Sequence, residues 1–149
     1  MTNGERLFGT DGIRGPFGQP PLDQGTVTHL GTCLAQRLTQ DLGRVPRVVV
    51  GGDTRASTPE LSAWLLDGFH RAGGRGAYVG VLPTPGVAYL ARKADFDGGV
   101  AISASHNPAP DNGIKLFDAE GFKWGRRAEK TLEAALVSSA APELTDSPA

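Results

Sequence analysis

The chain has a single cysteine, Cys33, among its 149 residues. One thiol excludes an internal disulfide and any metal site built from clustered cysteines. Charge of one sign is also missing: 15 Lys and Arg stand against 16 Asp and Glu, for a net charge of −1. A general binder of nucleic acid or of anionic membranes would carry a basic excess, so neither partner is expected. No run of about 18 apolar residues occurs, and the opening MTNGERLFGTDG lacks the apolar core of a signal peptide. A cytoplasmic location is therefore expected. The common nucleotide motifs are absent, with no G-x-x-x-x-G-K-[ST] and no G-x-G-x-x-G behind a strand. Nor is there a G-x-S-x-G elbow to present a hydrolase serine. Asp95-x-Asp97-Gly98 imitates the start of a calcium loop, but Gly99 and His106 would then fall on ligand positions, so the set fails.

What is present suits one domain. Hydrophobic residues make up 39% and charged residues 21%, which allows a core and argues against a disordered chain. Glycine is abundant at 21 residues, about twice the ordinary usage of ~7%. Glycine lets backbone amides approach an anion closely, so phosphate handling is one reading. Codon bias is the other, since Arg outnumbers Lys 11 to 4. Gly9, Gly12, Gly15 and Gly18 recur every third residue, too few repeats for collagen.

Periodicity places the elements. Val27, Leu30, Leu34, Leu38 and Leu42 share one face of a helix over 23–42. RVVVGG at 47–52 reads as a buried strand, and Ser57-Thr58-Pro59 as a helix start. Leu61, Trp64, Leu65, Phe69 and Ala72 continue that helix to Gly73-Gly74. Strands follow at 77–82, 99–103 and 114–117, with a helix near 85–93 and another near 126–137. The alternation predicts an α/β layered domain with a mixed, largely parallel sheet flanked by helices. The domain is placed at 1–137, with 138–149 as linker or frayed tail.

Ligands of such sheets sit outside the carboxyl ends of strands, which singles out the loops 53–57 and 104–113. Lys115 follows Asn112-Gly113, read as a turn, and could project back toward the loop of Ser105; Arg14 and Arg55 sit in glycine-rich or polar loops. Arginine grips phosphate in a planar fork and lysine as a point charge. These cations with Ser105 suggest a phosphate-bearing substrate. Ser105 and His106 are sequence neighbours, and neighbours on an extended segment face opposite ways, so adjacency alone makes no base–nucleophile pair. His29 and His70 read as partly exposed helix residues, and Cys33 as a small apolar residue beside Leu30 and Leu34.

The stretch Gly99-Val-Ala-Ile-Ser-Ala-Ser105-His-Asn-Pro108, followed by Asp111-Asn-Gly-Ile-Lys115, closely resembles the active-site segment of the α-D-phosphohexomutases. Phe8-Gly-Thr-Asp-Gly-Ile-Arg14-Gly15 is similar to that family's phosphoglucosamine mutase branch. Gly52-Asp-Thr-Arg55 and Pro83-Thr-Pro85-Gly-Val-Ala-Tyr89 match further segments in order, so the resemblance spans about residues 7–125. It implies a phosphoserine enzyme that interconverts a hexose or hexosamine 6-phosphate and 1-phosphate through a sugar bisphosphate; the Phe8–Gly15 segment favours glucosamine, and a phosphomannomutase or phosphoglucomutase domain or a stand-alone sugar-phosphate-binding module is the alternative. Ser105 would be the phosphorylated residue and, through its phosphate, a ligand of Mg²⁺. Lys115 would act as clamp or proton carrier, Arg14 would hold the phosphate, and His106 would line the site; Arg55 is the further candidate phosphate binder. Family members are four-domain chains and only the first domain is matched. The Asp-x-Asp-x-Asp metal loop, the sugar-recognition loop and the distal phosphate loop are expected from further domains of the same chain. An exposed apolar patch is the corollary, where such domains would dock.

Overall fold

The computed structural model describes residues 6–139. Among them nine elements follow one another: β1 (Ile13–Pro16), α1 (Gln24–Leu42), β2 (Arg47–Gly52), α2 (Thr58–Arg71), β3 (Arg75–Val81), α3 (Thr84–Lys93), β4 (Gly98–Ile102), β5 (Asp111–Asp118) and α4 (Arg126–Ser138). Helix α1 starts where the Asp23 carboxylate accepts from the Thr26 amide, and it ends on Gly43 in the left-handed region. Pro59 in the first turn of α2 fits a position whose amide has no helical partner. Val27, Leu30, Leu34 and Leu38 of α1 are buried as the periodicity predicts, whereas Leu42 at the helix end is 38% exposed.

The strands form one sheet in the order β1-β5-β4-β2-β3. Strand β2 pairs in parallel with β3 and β4, while β5 pairs antiparallel with both β4 and β1. Four strands thus run one way and β5 runs against them, the mixed sheet that was expected. The larger core, including Leu30, Val50, Leu61, Leu65, Phe69, Ile102 and Ile114, joins helices α1, α2 and α4 to one face of the sheet. On the other face α3 seals a smaller cluster of Val49, Val87, Ala91, Ala101 and Phe117. Among the described residues no helix is long and apolar enough to cross a membrane.

Three expectations change. Strand β1 was not anticipated, so Arg14 lies in a strand and not in a glycine-rich loop. Asn112-Gly113 is no turn: β5 begins at Asp111, because Gly15 and Pro16 pair with Asn112 and Asp111 and carry the ladder back. His29 is 6% exposed, since α4 packs across α1 there and brings the Leu136 carbonyl to 3.1 Å from the His29 Nε2. Of the expected tail, residues 140–149 lie outside the described residues.

Candidate functional site

The carboxyl ends of β2 and β4 open into the two loops that the sequence singled out. The second now spans residues 103–110, and in it Ser105 adopts a φ of +54°. A side chain in the left-handed region costs on the order of 1–3 kcal/mol and persists only where its surroundings over-determine it. Ser105 and His106 are both exposed on this turn. The Ser105 amide donates to the Ser103 hydroxyl at 3.1 Å.

Arg14 stands beside this turn. Its Nη1 donates to the Ala104 carbonyl and to the Asn107 side-chain oxygen, both at 2.9 Å. Its Nε is buried without a hydrogen-bond partner. The orphaned donor belongs to a guanidinium with only one corner committed to the protein. In the ladder Arg14 pairs with Gly113, and Ile13 pairs with Ile114 toward the large core. Side chains alternate across a strand, so Arg14 and Lys115 share the opposite sheet face as diagonal neighbours, about 7–8 Å apart in an ordinary ladder. No described residue bonds or pairs with the Lys115 ammonium. The structure therefore brings Arg14 and Lys115 to the same part of the sheet as the Ser105 turn.

Arg55 is placed differently. Its Nε donates to the Asp53 carboxylate at 3.0 Å, Nη1 to the Pro108 carbonyl at 3.1 Å, and Nη2 to the carbonyls of Asn107 (2.9 Å) and Ser105 (3.3 Å). Four of the five guanidinium N–H donors are thereby engaged within the protein. Asp53 also accepts from the Thr58 hydroxyl at 2.8 Å and from the Arg55 amide at 3.1 Å. Burial pushes the Asp53 carboxyl upward, but the Thr58 hydroxyl, the Arg55 amide and charge and the Ser103 hydroxyl outweigh it and hold it below the usual carboxylate range. The fully buried Asn112 completes the frame, donating from Nδ2 to the hydroxyls of Ser57 (2.8 Å) and Thr58 (3.1 Å). Asn107 donates to Asp111 at 3.2 Å.

Sequence reasoning gave Asp53, Thr58, Ser103, Asn107 and Asn112 no individual role. The signal that could have found them was the Asp53-x-Arg55 spacing after a strand, with hydroxyls at 57 and 58 heading the next helix. Among the described residues no three His, Cys, Asp or Glu side chains gather as a metal would need.

The family model for the α/β/α domain I of phosphoglucomutase/phosphomannomutase matches residues 5–142. A relative named phosphoglucosamine mutase, from Koribacter versatilis, is 47% identical over 129 residues, which cover 87% of this chain and 28% of the relative. Another of that name, from Chromohalobacter salexigens, is 44% identical over 143 residues, covering 93% of this chain and 32% of its own. Among solved structures, a phosphoglucomutase/phosphomannomutase family protein from Burkholderia thailandensis superimposes with a TM-score of 0.76 at 28% identity, over 89% of this chain and 30% of that one. The chain thus spans about a third of the length of these relatives.

Proposed function

Because the chain belongs to the phosphoglucomutase/phosphomannomutase family, as its α/β/α domain I, we propose that Ser105 carries the phosphoryl group of a phosphoserine mutase. In the whole protein that enzyme interconverts glucosamine 6-phosphate and glucosamine 1-phosphate. The observation that carries this reading is the display of Ser105, exposed at positive φ outside the strand ends, with Arg14 and Lys115 on the adjoining sheet face. The phosphoryl group leaves Ser105 Oγ for the free hydroxyl of the sugar phosphate. The P–Oγ bond breaks, a P–O bond to the sugar forms, and the proton of the sugar hydroxyl passes by way of a base to the departing Ser105 Oγ; the return transfer moves a proton the opposite way. The resulting bisphosphate returns its other phosphoryl group to Ser105 Oγ and leaves as the isomeric monophosphate.

Phosphoserine carries a charge of about −1.5 to −2, and its transfer depends on positioning and charge stabilisation more than on covalent work by the protein. Arg14 supplies the uncommitted side of its fork, Lys115 a mobile point charge as clamp or proton carrier, and His106 a polar group on the same turn. Magnesium, when bound, neutralises charge on the transferring group. The described residues do not fit a complete magnesium site, since Asp53 and Asp111 are already engaged by Arg55 and Asn107. Among the described residues Ser105, through its phosphate, would touch the ion.

The relatives' names favour the amino sugar. Glucose or mannose phosphates are the second reading, supported by the name of the Burkholderia structure. The test is intact mass and phosphopeptide mapping of the protein captured from its source cells, followed by turnover assays with the three sugar 6-phosphates. Phosphate on Ser105 and preferential turnover of glucosamine 6-phosphate are expected, with turnover absent in Ser105→Ala. Sugar-phosphate binding that survives Ser105→Ala, with no phosphate on Ser105, would replace the mutase with a binding module.

A further inference from the structure

The two arginines of the site use their guanidinium groups in opposite ways. Arg14 leaves Nε without a partner, whereas Arg55 directs two of its three nitrogens at the carbonyls of residues 105, 107 and 108 and the third at Asp53. Three carbonyls from a stretch of four residues converge on one cation. The backbone whose carbonyls turn toward that cation begins with the serine at φ +54°. The cation is itself anchored. Asp53 takes Arg55 Nε and the Arg55 amide, and Thr58 and Asn112 tie Asp53 to the start of α2 and to β5.

We propose that Arg55 is a positioning residue: its guanidinium, braced by Asp53, clasps the carbonyls of Ser105, Asn107 and Pro108 and so holds Ser105 in the left-handed conformation that presents its hydroxyl. This deepens the phosphoserine reading and rests on it for its catalytic consequence; the conformational claim stands independently. Lysine is a poor substitute, because a point charge on a flexible stem cannot meet three carbonyls and a carboxylate in one plane. A loss of orientation of about 1 Å at a reacting group is worth on the order of 100-fold in rate.

The test compares wild type with Arg55→Lys by NMR of the isotopically labelled chain and by steady-state kinetics of the whole protein. In wild type the Ser105 amide gives a strong Overhauser contact to its own Hα, the mark of positive φ. In Arg55→Lys that contact weakens while the amide pattern of β2 and β4 is kept. Turnover of glucosamine 6-phosphate falls about 100-fold in kcat, with KM changed less than about threefold. Methylguanidinium added to Arg55→Ala restores both signals, and methylammonium does not. A full-strength contact together with wild-type kcat in Arg55→Lys overturns the clasp. So does a loss dominated by KM, which would make Arg55 a substrate binder. Should Arg55→Lys not fold, Asp53→Asn keeps the shape and removes the brace; a weakened Ser105 contact supports the clasp and an unchanged one overturns it. If wild type shows neither turnover nor phosphate on Ser105, the proposed function fails while the NMR comparison still decides the clasp.

Discussion

Asp97 shows how one carboxylate of this chain serves structure alone. The sequence pattern around it imitates a calcium loop, yet its oxygens receive the Arg44 guanidinium at 2.6 and 3.0 Å and the Arg47 amide at 2.8 Å. With the return bond from the Asp97 amide to the Arg47 carbonyl, it fastens the turn before β2 to the turn before β4. Burial raises its pKa, and the Arg44 hydrogen bonds, the Arg47 amide and both cations outweigh that and hold it below the usual carboxylate range. A folded value below the unfolded one means that the unfolded state binds more protons in between. The stabilisation is therefore complete above the unfolded value of about 3.9 and is lost as pH falls through the lower folded value. Urea midpoints measured from pH 7 down to pH 2 should fall steeply below pH ~4 in wild type and less steeply in Asp97→Asn. Parallel curves would show that the carboxylate charge does not matter there. Ser105, Arg14 and Lys115 were legible as residue types in suggestive loops. The different employment of Arg14 and Arg55 was not, because only the folded loop shows which donors are already taken.

At the scale of elements, α1 and α2 touch backbone to backbone. A Cβ on Gly68 would enter the van der Waals shell of the Thr28 carbonyl oxygen, and one on Gly31 that of the Leu65 carbonyl. Between them the Thr32 hydroxyl donates to the carbonyls of Thr28 and Gly68, each at 3.2 Å. On an isolated helix Gly68→Ala would gain about 1 kcal/mol. Here the helices must part, so a net loss of about 1–3 kcal/mol is expected in urea unfolding. A stabilised variant would mean that the two helices separate freely. Helix positions were readable because α1, α2 and α3 carry strong periodicity and clear start signals. Strand β1 was not, since Ile-Arg-Gly-Pro carries one β-branched residue followed by an arginine and two breakers, and only its partner β5 makes it a strand. The early start of β5 was hidden for the same reason. Asn112-Gly113 favours a turn locally, and the β1 ladder together with the Asn112 bonds to Ser57 and Thr58 overrides it.

For the molecule as a whole, the sheet is covered unequally. Three helices shield one face and α3 alone shields the other, which leaves β3 as an outer strand with Tyr78 39%, Val79 43% and Val81 65% exposed. Natural edges are protected by lysines, prolines or bulges; β3 bulges at Val79-Gly80, where its register against β2 slips and Gly80 takes a φ of +79°, and before the bulge Arg75–Tyr78 is a regular edge with one cation, Arg75, at its start. A net charge of −1 adds little repulsion between copies. The expected occupant of that short regular stretch is the β3 of a second copy, paired antiparallel. The regular run Arg75–Tyr78 is centred between Gly76 and Ala77, so a two-fold axis there sets Tyr78 of each copy against Arg75 of the other. Sedimentation equilibrium of the 149-residue chain should then show a reversible dimer at high concentration. Tyr78→Lys places like charges directly opposite one another, which is destabilising, and should weaken association about tenfold or more without altering the unfolding midpoint of the dilute monomer. A wild-type chain that stays monomeric at millimolar concentration, or a Tyr78→Lys variant that associates equally well, would show that β3 is protected by something other than pairing.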